Sequence, residues 1–238
     1  MERLRAGARE LGLDLSAQQL ERFEHYYTEL VSANRRTNLT RIIAYEDVQV
    51  RHFLDSLSCW LALRDGPLWE RAIDVGSGAG FPGIPLKIVF PEPRLTLLDS
   101  VGKRTAFLCH MVQTLALDGV SVLTARAEDG ARQSGHRAAY DLVLARAVAP
   151  LPVVLELCLP YLRQGGRLVA PRRGDLEGEI RSARVALDAL GGDARLVPVQ
   201  VSTLQDGRAL VVVDKIGPTP ERYPRRAGLP AKHPLGTS

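Results

Sequence analysis

Cysteine is scarce in this chain, with three residues in 238: Cys59, Cys109 and Cys158. No pair has C-x-x-C spacing, and each lies in an apolar helical pattern. We therefore expect buried thiols in a reducing compartment rather than a disulfide framework. Histidine is also infrequent, with five residues, and the cysteines are scattered along the chain. The sequence therefore predicts no metal site.

Long hydrophobic runs are absent as well, and no apolar stretch approaches the length of a membrane span. Residues 1–5 do not have the pattern that begins a signal peptide. The composition, with 45% hydrophobic and 24% charged residues, is ordinary for a globular protein. We expect a cytoplasmic monomer with no membrane partner.

Most of the chain has no net charge, because the net charge of +4 comes from its C-terminal end. From Lys215 onward, five basic residues stand against Glu221 alone. Such a tail suits a polyanion, although a solvated, disordered end explains the same charges. Its five prolines argue against a helix or a central strand. We expect an extended segment that lies on the body of the protein or on a bound polyanion.

The most informative stretch is residues 71–104, where an apolar strand, a glycine-rich turn, a helix and a second strand follow one another. Asp74 lies near the end of the first strand, and the second strand closes with Asp99 and Ser100. The turn contains Gly76, Gly78, Gly80 and Gly83. Glycines allow a tight turn and a close ligand approach, and the following helix offers free N–H groups. With an acid to bind ribose, this pattern predicts a nucleotide cradle rather than an ordinary turn.

Two overlapping motifs in the turn suggest different nucleotides. Residues 78–83 fit G-x-G-x-x-G, which is typical of dinucleotide-binding folds. Residues 74–80, D-V-G-S-G-A-G, resemble motif I of Rossmann-like S-adenosylmethionine-dependent methyltransferases. A carboxylate at Asp74 facing the cradle would attract an ammonium and a sulfonium and repel a pyrophosphate. We therefore predict S-adenosyl-L-methionine as the cofactor, with contacts at Asp74, Gly76 and Gly78. An NAD-dependent oxidoreductase and a non-catalytic S-adenosylmethionine-binding protein are the alternatives.

The first 65 residues have helical periodicity. Ser16 fits an N-cap with Gln19 as its capping-box partner, and this helix should break at residues 34–38. Tyr26 and Tyr27 on it are expected in the core and at its rim. A further helix is predicted over residues 45–63. On it, Arg51 and His52 are spaced to meet Asp55, either as a helix ion pair or as a polar lid over the cofactor or substrate.

Strands and helices alternate from about residue 66, which predicts a parallel sheet. Five such units are followed by two consecutive strands, at 194–201 and 209–214, which predicts an antiparallel strand in the final pair. The fold class is α/β: a Rossmann-like class I methyltransferase with a mostly parallel seven-stranded sheet and an N-terminal helical extension. We divide the chain into this extension (1–65), an S-adenosylmethionine-binding domain (66–216) and a basic proline-rich tail (217–238).

Ligands bind at the carboxyl ends of the strands in open α/β sheets. The candidate residues there are Asp74, Gly76, Asp99, Ser100, Ala127, Glu128, Arg146, Arg172 and Arg173. An acid at a helix start explains Glu128 equally well without a ligand, and a surface ion pair does the same for Arg146. Their convergence at one sheet edge favours a binding site.

The sequence resembles the bacterial small-subunit (16S) rRNA guanine-N7 methyltransferase family, also called glucose-inhibited division protein B. The matching motifs are N-L-T at 38–40, R-H at 51–52, D-S at 55–56, D-V-G-S-G-A-G-F-P-G-I-P at 74–85, L-L-D-S at 97–100, G-K-R at 102–104, A-R-A at 145–147, and Y-P-R-R at 223–226 with Gly228, Pro230, Lys232, Pro234 and Leu235. The resemblance implies methylation of N7 of a guanine in 16S rRNA or the 30S subunit.

The resemblance also implies cofactor contacts at Gly76, Phe81, Asp99, Ser100, Ala127, Glu128 and Arg146. Guanine N7 has a lone pair and no proton, so it attacks in line without a general base, and positioning carries the catalysis. We expect RNA contacts at Arg51, His52, Arg173, Arg222, Arg225, Arg226 and Lys232, and from Arg146. Arg173 stands where the family often has lysine, which changes the donor geometry. No catalytic residue is assigned, and Arg146, Arg173 and His52 are the candidates.

Overall fold

The computed structural model describes residues 1–66, 69–146, 149–204 and 206–236. Pro67 of the expected linker and Ala147 of the A-R-A motif therefore lie outside the described residues. The strands in the described part form a seven-stranded sheet. They are β1 (Arg71–Val75), β2 (Arg94–Asp99), β3 (Val120–Thr124), β4 (Tyr140–Leu144), β5 (Leu162–Arg172), β6 (Gly192–Pro198) and β7 (Ala209–Lys215).

The strand order is β3-β2-β1-β4-β5-β7-β6. Strands β1 to β5 are parallel, with Ile73 of β1 in register with Thr96 on one side and Val143 on the other. Strand β7 runs antiparallel between β5 and β6. The predicted fold class and the antiparallel final pair are confirmed. The order reverses at β1, which places the glycine-rich turn at the switch point where such sheets bind ligands.

Helices cover both faces of the sheet. They are α1 (Glu2–Glu10), α2 (Ala17–Thr37), α3 (Tyr45–Val48), α4 (Asp55–Leu57), α5 (Trp60–Leu63), α6 (Gly83–Val89), α7 (Gly102–Thr114), α8 (Ala127–Gly130), α9 (Leu151–Cys158), α10 (Leu176–Ser182), α11 (Arg184–Leu190) and α12 (Leu229–Lys232). Ala72 packs in the core with α1, α2, α6 and α7, whereas Ile73 and Val75 pack in the core with α9 and α11. This alternation follows from the two-residue period of a strand.

The N-terminal helices follow their sequence signals closely. The Ser16 hydroxyl accepts the Gln19 N–H at 3.2 Å, and the Gln19 side chain accepts the Ser16 N–H at 2.9 Å, which confirms the capping box. Helix α2 continues to Thr37 and ends at Asn38 in the left-handed region (φ 49°), so the break predicted from residue 34 is too early. Tyr26 is buried and Tyr27 is half-buried, as predicted.

The segment from Tyr45 to Leu63 is helical, but its middle, Gln49–Leu54, is a π-helix. The wider turn changes which side chains meet. Arg51 pairs with Asp47, four residues before it, with its Nε 3.5 Å from Oδ1, and the predicted contact between Arg51 and Asp55 is wrong. The Asp55 carboxylate instead binds two arginines from other parts of the chain.

Other departures are local. Gly165 and Gly166 lie inside β5 at an irregular stretch of its pairing with β4, although a Gly-Gly pair favours a turn. Cys59 and Cys158 are buried, but Cys109 is exposed, which corrects the expectation of three buried thiols. The tail contains α12, with Pro230 in its first turn, where a missing N–H costs nothing. The expectation of no helix in the tail is therefore wrong.

Within the described residues, no helix combines the length and the apolar character that crossing a bilayer requires. The division of the chain at residues 65/66 and 216/217 stays a prediction.

Candidate active site

The glycine-rich turn connects β1 to α6 and is held by backbone contacts to β2. The N–H groups of Gly76 and Ser77 donate to the Leu98 carbonyl at 2.8 and 2.9 Å. Gly76, Gly78 and Gly80 have positive φ values of 76°, 58° and 96°. A Cβ on Gly80 would also lie 2.6 Å from the Tyr26 hydroxyl oxygen. The turn therefore needs glycine both for its conformation and for its contact with α2.

Asp74 lies within β1, and its side chain is directed towards α6. Its Oδ2 accepts the Gly83 N–H at 2.9 Å. Its Oδ1 has no hydrogen-bond partner among the described residues. Burial raises the pKa of this carboxyl to about 7, against the opposing effect of the Gly83 hydrogen bond. The carboxyl is fully buried and does not line the cleft at the sheet edge, which corrects the expectation that it faces the cradle.

A cleft of about 350 Å³ opens at the carboxyl ends of β1 to β3; we call it the first cleft. Six of the predicted cofactor residues line it: Gly76, Asp99, Ser100, Ala127, Glu128 and Arg146. The predicted residues Gly78 and Phe81 do not. Gly78 instead donates its N–H to Asp99 Oδ2 at 3.0 Å, and Asp99 Oδ1 accepts the Val101 N–H at 2.9 Å. The first cleft therefore presents two carboxylates, one of which also orders the turn.

A second cleft, of about 390 Å³, lies beside the first and is rich in arginine. Its lining residues are Ile42, Arg51, His52, Asp55, Arg146, Pro171, Arg172 and Arg173. Arg146, at the end of β4, lines both clefts. The structure therefore brings three predicted RNA contacts, Arg51, His52 and Arg173, to one opening next to the predicted cofactor residues.

Arg146 is fixed by groups from the N-terminal helices. Its Nη1 donates to Asp55 Oδ2 at 2.9 Å and to the Arg51 carbonyl at 3.2 Å. Its guanidinium carbon lies 4.9 Å from the centre of the Phe81 ring. Phe81 also stacks on His52, with ring centres 4.5 Å apart. Phe81 therefore supports Arg146 and His52 at the boundary of the clefts.

His52 is buried and neutral at physiological pH. Burial, followed by the nearby charge of Arg146, lowers the pKa of the imidazole to about 3. Its Nε2 lies 2.8 Å from the Thr40 hydroxyl, and its Nδ1 lies 3.3 Å from Arg146 Nη2. This contact with Thr40 gives a structural reason for the N-L-T motif. His52 adds no positive charge to the second cleft.

The family model for rRNA small subunit methyltransferase G, GidB, matches residues 19–206 of this chain. A protein of that name from Dehalococcoides mccartyi (strain CBDB1) is 48% identical over 236 residues, covering 99% of this chain and 100% of the relative. Another from Roseiflexus sp. (strain RS-1) is 48% identical over 237 residues, with the same coverage. This chain belongs to the rRNA small subunit methyltransferase G family.

The fold of this family member is also found in more distant proteins. The crystal structure of cofactor-bound Rv0187 from MTB has a TM-score of 0.54 and 19% identity, covering 80% of this chain and 89% of that chain. This likeness concerns the fold alone.

Membership of the family makes this protein an S-adenosylmethionine-dependent methyltransferase. The predicted cofactor is confirmed, and the NAD-dependent alternative is wrong. The first cleft fits the cofactor because Asp99 and Glu128 offer acceptors for hydroxyl and amino groups, while Val153 and Leu157 give it apolar walls. A Cβ on Gly78 would come no closer than 3.9 Å to another residue, so the turn leaves open space there.

Two members of the charged network that fixes the second cleft, Arg208 and Asp206, lie outside the family motifs. Arg208, whose side chain is 3% exposed, donates through Nη1 to Asp55 Oδ1. Its Nε and Nη2 bind the two oxygens of Asp206 at 2.6 and 2.5 Å. Asp206 in turn lies 3.0 Å from Arg173 Nη1. In the sequence, residues 206–208 indicate only a turn, so this contact between the segment before β7 and the start of α4 gave no local signal.

The basic residues of the family's tail divide into two groups. Arg222, Arg226 and Lys232 are exposed, which suits the predicted contact with RNA. Arg225 instead binds Glu156, which is fully buried, with Nε–Oε1 and Nη2–Oε2 distances of 2.8 and 2.6 Å. Arg172 is similarly engaged with Glu179 at 2.5 Å. Arg225 and Arg172 therefore each form an ion pair within the protein.

Proposed function

We propose that this protein transfers the methyl group of S-adenosylmethionine to N7 of a specific guanine in small-subunit (16S) ribosomal RNA, acting as a monomer on the RNA or the 30S subunit. The observation that carries the proposal is the position of Arg146, which lines both the cofactor-binding first cleft and the arginine-rich second cleft. The names of the relatives support ribosomal RNA as the substrate.

The second cleft has the chemistry of a nucleotide acceptor site. Arg51, Arg146, Arg172 and Arg173 line it, and guanidinium groups bind phosphates and base edges through several donors at once. N7 faces the major groove, which is deep and narrow in A-form RNA, so the target guanine has to be unpaired or splayed out. The second cleft, at about 390 Å³, has room for a single extruded base and not for a helix.

The reaction makes few demands on proton transfer. When bound, S-adenosylmethionine supplies an electrophilic methyl group on a positively charged sulfur. Guanine N7 would form the new C–N bond with its own lone pair as the S–CH3 bond broke and S-adenosylhomocysteine left. Because N7 has no proton to lose, the chain needs no general base. Neutral His52 and the fixed guanidinium of Arg146 are then positioning groups. The rate enhancement comes from the alignment of the base with the methyl group. The Asp55 carboxylate accepts a hydrogen bond from Arg146 at 2.9 Å and so holds that guanidinium in position.

The decisive experiment measures transfer of labelled methyl groups from S-adenosylmethionine to naked small-subunit RNA and to assembled 30S subunits. We expect one N7-methylguanine, mapped by base-specific strand cleavage and mass spectrometry, in one of the two substrates. RNA from cells that lack the protein should accept the label, and RNA from wild-type cells should not. A label on another atom would contradict the N7 assignment. Cofactor binding with no transfer to either substrate would identify the non-catalytic alternative.

A further inference from the structure

The tail predicted to contact RNA also closes the first cleft. Gly228 and Ala231, which neither the glycine-rich turn nor the strand ends supply, line that cleft together with Asp99 and Glu128. We propose that residues 223–232 form a wall of the S-adenosylmethionine pocket, so that cofactor affinity depends on how this segment is seated. The inference rests on the cofactor assignment and not on the identity of the RNA target.

The wall is fastened to the body by buried polar contacts. Glu156 on α9 is fully buried, and its carboxylate accepts the backbone N–H of Arg225 at 2.8 Å in addition to the guanidinium. A buried carboxylate without a partner costs free energy, so the ion pair with Glu156 strongly favours this position of Arg225. Arg225 also donates to the His233 carbonyl at 2.7 Å, which closes the segment over the pair.

A second set of contacts joins the wall to the region that follows β3. Arg137 donates to the carbonyls of Tyr223 at 2.8 Å and Pro220 at 3.1 Å. Arg132 donates to the Pro224 carbonyl. Both arginines follow α8, which begins at Ala127 and carries Glu128. The cofactor residues of α8 and the wall are therefore parts of one hydrogen-bonded unit.

Glu128 is the direct link between the wall and the cleft. Its Oε1 accepts the Gly228 N–H at 2.8 Å, whereas its Oε2 has no hydrogen bond to any residue in the described ranges. Gly228 has a positive φ of 82°, and this conformation starts α12. The contact with Gly228 fixes the carboxylate of Glu128 before a ligand arrives, so a loosened wall should weaken binding through this residue.

The first test places a large side chain on the wall. Ala231 is exposed and lines the cleft, so Ala231→Trp should obstruct the cofactor without disturbing the core. We expect the affinity for S-adenosylmethionine, measured by calorimetry in the absence of RNA, to fall at least about tenfold. Ala227→Trp is the matched control, because Ala227 is exposed but does not line the cleft. Its affinity should stay within about twofold of wild type.

The second test measures hydrogen exchange, first in the wild-type protein and then in two variants. Hydrogen exchange of residues 223–232 should slow on addition of S-adenosylhomocysteine, because a ligand that contacts the wall stabilises its closed position. Arg225→Gln should speed this exchange and weaken the cofactor. Arg184→Gln, which removes an exposed ion pair with Asp188 on α11, should do neither.

The outcomes separate the wall from the cofactor assignment. If the wild-type protein does not bind S-adenosylmethionine, the assignment of the first cleft fails. If it binds, but Ala231→Trp binds equally well and exchange of residues 223–232 is unchanged by S-adenosylhomocysteine, only the wall is refuted. Circular dichroism identifies a variant that does not fold, and the exchange experiment on the wild-type protein then decides.

Discussion

In the first cleft the shortest contacts of the carboxylates are to backbone N–H groups, with Arg104 farther from Asp99 at 3.5 Å, whereas in the second cleft the carboxylate of Asp55 binds arginines. Asp99 accepts from Gly78 and Val101, and Glu128 accepts from Gly228. Asp55, by contrast, binds the guanidinium groups of Arg146 and Arg208. The first cleft is therefore shaped by the course of the chain, and the second by side chains that reach across the molecule.

This difference separates two kinds of dependence. The glycine-rich turn of the first cleft is encoded by neighbouring residues, whereas its wall at residues 223–232 depends on the contact of Arg225 with Glu156. The network of buried charges in the second cleft depends on several distant segments at once, so removing one member leaves others unpaired. Substitutions in the first cleft should therefore lower cofactor affinity. Substitutions in the second cleft should lower the stability of the protein and the rate of RNA methylation.

The largest effect is expected from Asp55→Ala, which removes one of the two carboxylates that bind the buried Arg208 and also removes the carboxylate that binds Arg146. We expect the free energy of unfolding to fall by about 3 to 5 kcal/mol, as for other broken buried ion pairs. Asp47→Ala, which removes an exposed pair with Arg51, should cost less than about 1 kcal/mol. Urea denaturation measures both. Equal effects would contradict the dependence of folding on the buried charges of the second cleft.

Asp74→Asn tests the support behind the first cleft through pH. The carboxyl has a pKa of about 7 in the folded protein, while an unfolded aspartate titrates near 3.9. Between these values the folded state holds the extra proton, so the free energy of unfolding falls as pH rises. From pH 5 to pH 8 the free energy of unfolding of the variant, relative to that of wild type, should rise by about 3 kcal/mol.

Denaturation of wild type and Asp74→Asn at several pH values measures that gain. His52 has its pKa lowered and acts in the opposite direction, losing stability as pH falls below about 6.5, but it is present in both proteins and cancels. The exposed Asp193→Asn variant should show no such trend. A constant difference between Asp74→Asn and wild type would show that Asp74 is ionised throughout.

Asp99→Ala tests the backbone cradle itself. Without this carboxylate, the N–H groups of Gly78 and Val101 lose their acceptor and the turn loses its order. We expect affinity for S-adenosylmethionine to fall by about a hundredfold, since hydrogen bonds to charged groups contribute about 1.5 to 3 kcal/mol each. Calorimetry measures it, with the exposed Asp118→Ala as the control. Unchanged affinity in Asp99→Ala would contradict the cradle.

The smallest effect should follow Arg173→Ala in the second cleft. Arg173 is half-exposed and pairs with Asp206 at 3.0 Å, so its loss should hardly affect folding. If it contacts a phosphate, RNA affinity should fall several-fold and the salt slope should decrease by about one. Cofactor affinity should not change. Arg195→Ala, on the edge strand β6, should leave the salt slope unaltered, and equal slopes for both variants would exclude Arg173 from the RNA site.

Sequence patterns captured what is local. The glycine-rich turn and the strand ends led to Gly76, Asp99, Ser100, Ala127, Glu128 and Arg146, all of which line the first cleft. The pattern gave a wrong orientation for Asp74, because that residue lies inside β1 and alternates towards α6 rather than the sheet edge. It also gave a wrong partner for Arg51, because Asp47 and Asp55 are both four residues away and Asp55 is bound by Arg146 and Arg208 in the folded chain.

The sequence by itself determined the alternating α/β class, the glycine-rich cradle and the residues at the strand ends, since each depends on conformational preferences over a few adjacent positions. Only the tertiary structure decided that Arg208 secures Asp55 and that Arg225 is anchored by Glu156. Those pairs are 153 and 69 residues apart in the chain. A buried charge pairs with whichever opposite charge the fold places next to it. The spacing of the two residues along the chain therefore does not predict the pair.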